Sequence, residues 1–288
     1  MNFQAFVDDI RNNQWPVYGV EVYQNGSVLH QYGDTTEVRY PVYSATKTIT
    51  SLAVGMAVDE GRIALDRCVL DALPEWAVEQ MGESKRRIYQ PVTLKRLLTM
   101  SVAGYPFRPS GESWLLDALR CPLSAPEKPV FEYSNISAYL AGTAAACAVG
   151  ENLYQYLNRK LFRPLGIIDP PCGFCPDGYF YGASHMELTV NELSRIGLLL
   201  ANGGIFNGKR IVSEAYIKAA TSIQQMNREG GYGYLIWKYR DGFSINGKWG
   251  QKCYILPRQG LMITYLAHME HGSGLLKASM EKHLLGDE

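Results

Sequence analysis

Strand-like sequence occurs only near the two ends of this chain, and that arrangement limits the possible folds more than any other feature. Near the N-terminus, the runs VYGVEVYQ and SVLHQYG are joined by Asn25-Gly26, a pair that predicts a β-hairpin. From about residue 232 onward, further strands are indicated by the short aromatic and β-branched runs YGYLIWKY, FSINGK, KCYILP and LMITYLAH. We therefore expect the terminal strands to share one antiparallel sheet.

The rest of the chain has mostly helical periodicity. Residues 3–12 and 44–60 predict helices, with Gly61 ending the second and its apolar residues Ile49, Leu52, Ala53, Met56 and Ala57 on one face. Residues 62–200 are predominantly helical, and LLKASMEKHLL closes the chain as a helix. We predict one domain, 1–288, of the α+β class (an α/β sandwich). Its sheet part is 1–61 with 205–288, and a mostly helical part, 62–204, is inserted so that a cleft lies between them.

The charge balance and the hydropathy of the chain limit the kinds of molecule that it is expected to bind. The chain has 28 basic and 28 acidic residues, a balance that favours neither a nucleic acid nor an anionic membrane as partner. The N-terminus has no basic stretch followed by an apolar one, and no window approaches the roughly 20 apolar residues of a membrane span. We expect a cytoplasmic protein that acts on a small molecule, and the sequence leaves the oligomeric state open.

Ser44 and Lys47 are the first candidate catalytic residues. A serine that opens a predicted helix and a lysine three positions later share one helix face. A serine hydroxyl needs a base to become a nucleophile, and a lysine whose pKa is lowered by burial can be that base. The helix start also offers the Ser44 N–H as an oxyanion donor. Taken alone, the spacing also fits a capping serine followed by a solvated lysine.

A second candidate element is Tyr133-Ser134-Asn135, which precedes a helix beginning near Ile136. The tyrosine could relay a proton to a leaving group if nearby cations depress its pKa. The asparagine could bind a substrate amide and hold the lysine. A buried tyrosine beside a helix-capping asparagine fits these residues equally well.

A third element is the segment Asn246-Gly247-Lys248-Trp249-Gly250-Gln251. Glycines in a strand often mark the close approach of a ligand to the backbone, as an edge strand that supplies an oxyanion N–H requires. A simple turn between two strands is the other interpretation.

The order of the three elements is informative, because SxxK is followed about 90 residues later by YxN and then by a glycine-bearing strand near the C-terminus. In this order the chain resembles the serine β-lactamase and penicillin-binding-protein superfamily, in its branch of class C β-lactamases, family VIII esterases and 6-aminohexanoate-dimer hydrolases. The resemblance covers nearly the whole sequence. It is carried by YSATKTITSLAVGMAVDEGRIALD, VTLKRLLTMSVAG, KPVFEYSNISAYLAG, LFRPLGI, LSRIGLLLANGG and YGYLIW.

The resemblance implies a role for each matching residue. Ser44 is the nucleophile, Lys47 is its base partner, Tyr133 is the proton relay and Asn135 is the asparagine of YxN. The oxyanion hole consists of the backbone N–H groups of Ser44 and Lys248. No metal and no other cofactor is implied.

One position departs from the family pattern. β-Lactamases of this branch read Lys-Thr-Gly at the third element, whereas this chain reads Ile245-Asn246-Gly247. The lysine that pairs with a β-lactam carboxylate is thus an isoleucine. The side chain of Lys248 should point to the other strand face and cannot simply replace it. We therefore expect an esterase or amidase that acts through a Ser44 acyl-enzyme.

Other activities remain open at this point. A β-lactamase, a D-aminopeptidase or D,D-carboxypeptidase, or an acyltransferase would use the same residues, and a non-catalytic binding protein on this fold is the least expected outcome. None of the five histidines lies in a recognisable catalytic motif, which argues against a histidine-based triad. The pair Cys172 and Cys175 forms a CxxC without a second ligand pair, so we expect it to be structural.

Overall fold

The computed structural model describes residues 1–286 and contains helices and strands as expected for a mixed fold. The helices of that part are α1 Phe3–Asn12, α2 Thr46–Asp59, α3 Glu75–Glu79, α4 Gly82–Tyr89, α5 Leu94–Leu98, α6 Trp114–Arg120, α7 Asn135–Val149, α8 Leu153–Leu157, α9 Val190–Ala201, α10 Glu214–Thr221 and α11 Ser273–Met280. The strands are β1 Val17–Gln24, β2 Ser27–Gly33, β3 Tyr40–Pro41, β4 Glu187–Leu188, β5 Ile205–Phe206, β6 Lys209–Arg210, β7 Trp237–Tyr239, β8 Gly242–Gly247, β9 Gln251–Leu256 and β10 Leu261–Ala267.

The two ends of the chain form one six-stranded sheet with the order β2-β1-β10-β9-β8-β7. All neighbouring strands in it are antiparallel. The predicted hairpin is present between β1 and β2, where Asn25 and Gly26 both adopt positive φ angles, 52° and 80°. The predicted fold class is therefore confirmed: an antiparallel sheet from terminal strands, with helices packed against it.

Helices cover both faces of this sheet. On one face, α1 and α11 pack through Phe6, Ile10, Leu276 and Met280 onto strand residues such as Val20. On the other face, α9 lies against β1, β9 and β10. No helix within residues 1–286 combines the length and the apolar character that a membrane crossing needs.

Helix α2 differs from its prediction in two respects. The α-helix begins at Thr46, and Ser44 lies in a 3-10 turn, Tyr43–Ala45, that leads into it. The predicted apolar face is buried, but so is every other residue from Thr46 to Ala57. The helix contacts α7, α8 and α10 as well as the turn before it, so small and polar residues also face packed neighbours.

Candidate active site

Ser44 lies at the entrance to α2 and is only partly buried. The turn before α2 makes its first hydrogen bond from the Ala45 N–H to the Val42 carbonyl, at 3.1 Å. The Ser44 N–H precedes that bond, so the turn itself does not use it. Tyr43 has a φ of 48°, which a bulky residue adopts only at a conformational cost. The nucleophile position thus sits on a strained backbone turn.

Lys47 is 1% exposed, and its ammonium nitrogen has three oxygen partners. The Nζ atom lies 3.0 Å from Ser44 Oγ, 2.6 Å from Asn135 Oδ1 and 2.8 Å from the Ala183 carbonyl oxygen. Two of these partners, the amide oxygen and the carbonyl, can only accept hydrogen bonds. The third is a hydroxyl, which can also donate.

This set of partners fits a neutral amine. A neutral lysine has two N–H bonds and one lone pair, so it can donate to Asn135 and Ala183 while its lone pair faces the Ser44 hydroxyl proton. Burial lowers the pKa of Lys47 from 10.5 to about 7, because desolvation disfavours the charged form. A substantial fraction of Lys47 is therefore deprotonated at neutral pH, as a general base for Ser44 must be.

Tyr133 faces the same group but differs from its prediction in one property. The Lys47 Nζ lies 4.9 Å from the centroid of its ring, and the phenol interacts with the Ser44 hydroxyl. The condition stated for a proton relay, a pKa of Tyr133 depressed by nearby cations, is not met. Burial raises that pKa to about 12, and the hydrogen bond with Ser44 opposes the rise only in part. Tyr133 is thus a neutral phenol at physiological pH, able to donate a proton rather than to accept one.

Asn135 is the first residue of α7 and is held in one orientation. Ser134 caps the helix, its hydroxyl accepting from the Ile136 and Ser137 N–H groups, and this fixes the start of α7 beside Lys47. The Asn135 Nδ2 donates to the Tyr181 hydroxyl at 2.8 Å, which leaves Oδ1 turned toward Lys47. The predicted capping role of the asparagine is therefore filled by its neighbour, and Asn135 is free to position the base.

Gly247 brings strand β8 close to the nucleophile turn. A Cβ atom at this position would lie 2.3 Å from the Val42 carbonyl oxygen and 2.7 Å from the Gln251 Cβ, closer than atoms can approach. Only glycine allows the strand to run this near to Ser44. Lys248, whose backbone N–H is the second oxyanion donor expected from the sequence, directly follows this glycine.

The turn after β8, like the turn before α2, contains a bulky residue with a positive φ angle. Trp249 has a φ of 63°, and its ring packs edge-on against the Tyr43 ring with centroids 5.2 Å apart. The side chains of the two strained residues are therefore in contact. Each residue is adjacent in the sequence to one of the expected oxyanion donors, the backbone N–H groups of residues 44 and 248. Strain of this kind collects at functional sites.

The remaining residues of the third element are placed elsewhere. Ile245 is fully buried in the main core, so no cation occupies the position of the family lysine. The Lys248 side chain is exposed, with Nζ 4.0 Å from the Trp249 ring centroid. Asn246 lies on the opposite face of β8 from Ile245, and no hydrogen bond to its Oδ1 is present within residues 1–286. Its side chain lines a neighbouring cavity rather than contacting Ser44 or Lys47.

Sequence reasoning missed the segment 181–186, which completes the site. Its Ala183 carbonyl accepts from Lys47, its Gly182 carbonyl accepts from Thr50 at 2.7 Å, and its Met186 carbonyl accepts from the Val42 N–H at 2.9 Å. These contacts are made by main-chain carbonyl groups, which every residue carries, so the residue types in the sequence do not predict them. The segment is a second support for the first turn of α2.

Cys172 and Cys175 lie just before this segment and are both free thiols. Burial raises the pKa of Cys172 to about 12 and also raises that of Cys175, so neither is a reactive thiolate at neutral pH. The Cys175 thiol is within 3.3 Å of the Tyr139 hydroxyl. The pair therefore packs behind the site, as expected of structural cysteines.

Comparison with known proteins identifies the family of this chain. The family model Beta-lactamase matches residues 3–284. The 6-aminohexanoate-dimer hydrolase of Paenarthrobacter ureafaciens is 23% identical over 292 residues, which cover 85% of this chain and 71% of that protein.

Solved structures share the fold. A penicillin-binding protein homolog from Caulobacter crescentus superposes with a TM-score of 0.71 at 18% identity, over 92% of this chain and 90% of that one. A β-lactamase from Mycobacterium bovis superposes with a TM-score of 0.68 at 19% identity, over 96% and 98% of the two chains. Since the family model spans almost the whole sequence, this chain belongs to the β-lactamase family.

Proposed function

We propose that this protein is a serine hydrolase that cleaves an ester or amide bond through an acyl-enzyme on Ser44. The observation that carries the proposal is the buried Lys47 amine, which has two acceptor-only partners and the Ser44 hydroxyl as its third. When Lys47 is neutral, its two N–H groups donate to the two acceptor-only partners, and its lone pair is left to accept the proton of the Ser44 hydroxyl. A purely structural lysine gains nothing from being desolvated next to a partly exposed serine.

In the acylation step, Ser44 Oγ attacks the carbonyl carbon of the substrate while its proton moves to the Lys47 nitrogen. The negative charge that develops on the carbonyl oxygen is stabilised by the backbone N–H groups of Ser44 and Lys248. When the tetrahedral intermediate collapses, the Tyr133 phenol donates its proton to the departing oxygen or nitrogen. The Lys47 ammonium then donates a proton to the Tyr133 phenolate, which restores the phenol.

In the deacylation step, a water molecule attacks the acyl carbon. Lys47, neutral again, accepts a proton from the water. Collapse of the second intermediate returns a proton to Ser44 Oγ and releases the acid. Asn135 and Ala183 hold the amine in place throughout, so little reorganisation is needed between the two steps.

The substrate class follows from position 245. Without a lysine there, the site lacks the cation with which related β-lactamases hold the substrate carboxylate, so we favour a linear ester or amide over a β-lactam. The similarity to the Paenarthrobacter 6-aminohexanoate-dimer hydrolase supports the hydrolysis of a small substrate. The direct test is a panel of p-nitrophenyl esters, amino-acid amides and β-lactams assayed with Ser44→Ala as the blank. Equal rates for the two proteins on every compound would refute the proposal.

The pH dependence of catalysis should report Lys47. Its base form is required and its pKa is about 7, so kcat/KM for a neutral ester should fall tenfold per pH unit below pH 7 and level off above it. Tyr133 stays protonated up to a pKa of about 12, so no second fall is expected between pH 8 and pH 10. Initial rates from pH 5 to pH 10 check this profile. A profile without an inflection near pH 7 would remove Lys47 as the base.

Nitrocefin should be a poor substrate relative to p-nitrophenyl butyrate. Ile245 is fully buried and provides no charge for the carboxylate of the β-lactam. We expect kcat/KM for nitrocefin at least 100-fold below that for the ester, in line with the loss of one buried charged contact and the poor fit that follows. A nitrocefin rate that equals the ester rate would contradict this interpretation of position 245.

A further inference from the structure

A cavity of about 720 Å³ lies beside the proposed active site, between edge strand β7, strands β8 and β9, and helix α11. Ligand pockets commonly have volumes of roughly 300–1,000 Å³, so this one can hold a substrate fragment. Its floor includes Ser244, Asn246 and Lys252, which share one face of the sheet because Asn246 pairs with Lys252 and Ser244 pairs with Tyr254. None of these residues has a role in the chemistry described above.

The cavity is lined by more positive than negative charge. Four basic side chains line it, Lys238, Arg240, Lys252 and Lys277, against the two acidic side chains Glu229 and Glu281. Glu281 accepts from the Tyr239 hydroxyl at 2.7 Å and lies 3.6 Å from Lys277, so it offsets part of that lysine's charge, and the lining as a whole keeps an excess of two positive charges. Glu229 is exposed. Burial lowers the pKa of Lys252 to about 8, so this lysine is still mostly cationic at neutral pH.

Polar groups on the floor are suited to complete such a site. The Asn246 side chain carries an amide NH₂ group and Ser244 carries a hydroxyl, and both groups can donate a hydrogen bond to an anion. The Asn246 Oδ1, which has no hydrogen-bond partner within the described residues, can only accept and so takes no part in holding an anion.

Three contacts connect the cavity to the catalytic residues. Trp237 lines it and stacks on the Tyr133 ring, with centroids 5.5 Å apart and an interplanar angle of 28°. Asn246 lines it and is followed at once by Gly247 and then Lys248, the oxyanion position. The charge of Glu229 acts on the pKa of both Tyr133 and Lys252, so this carboxylate lies near both. The cavity therefore adjoins Tyr133, the residue that faces the leaving group.

We propose that this cavity binds an anionic group, such as a carboxylate, carried by the leaving group of the substrate, with Lys252 and Lys277 as the recognising cations. The inference rests on the proposed function, because it assigns the leaving-group side from the role of Tyr133. It makes the substrate class narrower: an ester or amide whose alcohol or amine product bears a negative charge at a distance from the cleaved bond.

A matched pair of esters tests the proposal. 4-(Carboxymethyl)phenyl butyrate and 4-(carbamoylmethyl)phenyl butyrate differ only in carboxylate against carboxamide, and the methylene group keeps the reactivity of the two phenol leaving groups alike. A second pair of esters, with two more methylene groups, places the charged group farther from the ester bond. The measured quantity is the ratio of kcat/KM for the carboxylate to that for the carboxamide, for each chain length.

The variants are Lys252→Met and Lys277→Met, which keep the side-chain length and remove the charge. Lys277 lies on the surface of α11, so its variant is expected to fold even if the more buried Lys252 variant does not. The control is Lys209→Met, an exposed lysine in β6. It lies near Asp59 at the far end of α2, about 20 Å from Ser44 by the length of that helix.

We expect a ratio of at least 10 in the unaltered protein for one chain length, a fall of at least tenfold in either lysine variant, and no change in Lys209→Met. A ratio near 1 in the unaltered protein, or a high ratio that both lysine variants retain, would overturn the proposal while leaving the serine hydrolase intact. If no ester in the set acylates Ser44, the proposed function itself fails, and the inference fails with it. Mass spectrometry of Ser44 tells these results apart.

Discussion

Replacing either Ser44 or Lys47 should reduce the turnover of p-nitrophenyl butyrate by about 10⁴-fold to 10⁶-fold, to nearly the same residual rate. In the proposed mechanism the two side chains act as one unit, since the hydroxyl attacks only when the amine 3.0 Å away removes its proton. Once one member of such a unit has been removed, removing the other lowers the rate of turnover little further. The double variant Ser44→Ala, Lys47→Met should therefore be about as inactive as either single variant.

Lys47→Arg is the informative companion to Lys47→Met. Arginine keeps the positive charge and the hydrogen-bond donors but cannot be deprotonated in a protein. If Lys47 is the base, both variants are inactive. Substantial activity in Lys47→Arg would mean that the site needs a cation rather than a base. Circular dichroism and thermal melts of each variant establish that the fold is retained.

Replacing Tyr133 by phenylalanine should cost about 10²-fold to 10⁴-fold, and the cost should depend on the leaving group. Nitrophenolate leaves as a stable anion and needs no proton, so activated esters should show the smallest loss. Alkyl esters and amides need protonation of the departing atom, so they should show the largest. This gradient follows from a phenol whose pKa is about 12 and which therefore holds its proton until it is needed.

Tyr32→Phe is a suitable control for the loss of a phenol hydroxyl. Tyr32 lies in β2, the edge strand opposite to the one that packs on Tyr133. It should leave kcat/KM unchanged for every leaving group. A uniform loss across leaving groups in Tyr133→Phe would assign the hydroxyl to substrate binding, and no loss at all would remove it from the mechanism.

Much of the fold follows from patterns that are local in the sequence. The Asn25-Gly26 hairpin and the helix over residues 3–12 depend on neighbouring residues only, and both are present as predicted. The run YGYLIWKY is strand only over Trp237–Tyr239, because its first half bends into the core instead of pairing continuously. The sequence pattern therefore predicts a longer strand here than the structure contains.

In the candidate site, too, the features that depend on neighbouring residues could be predicted, whereas the long-range contacts could not. The spacing of Ser44 and Lys47 on one helical turn is local, so the sequence predicts their proximity. The carbonyl of Ala183 and the hydroxyl of Tyr181 reach the site from far along the chain, and main-chain carbonyls carry no sequence signature. The pKa of Tyr133 is raised by burial, and its ring packs against Trp237 and Tyr232, an arrangement that only the tertiary structure reveals.

The most direct test of the account is the mass of the protein during turnover. After rapid acid quenching with p-nitrophenyl butyrate, intact-protein and peptide mass spectrometry should find one butyryl group, located on Ser44. The adduct should be absent from Ser44→Ala and from Lys47→Met. A butyryl group on another residue, or ester turnover in Ser44→Ala at the rate of the unaltered protein, would contradict the account.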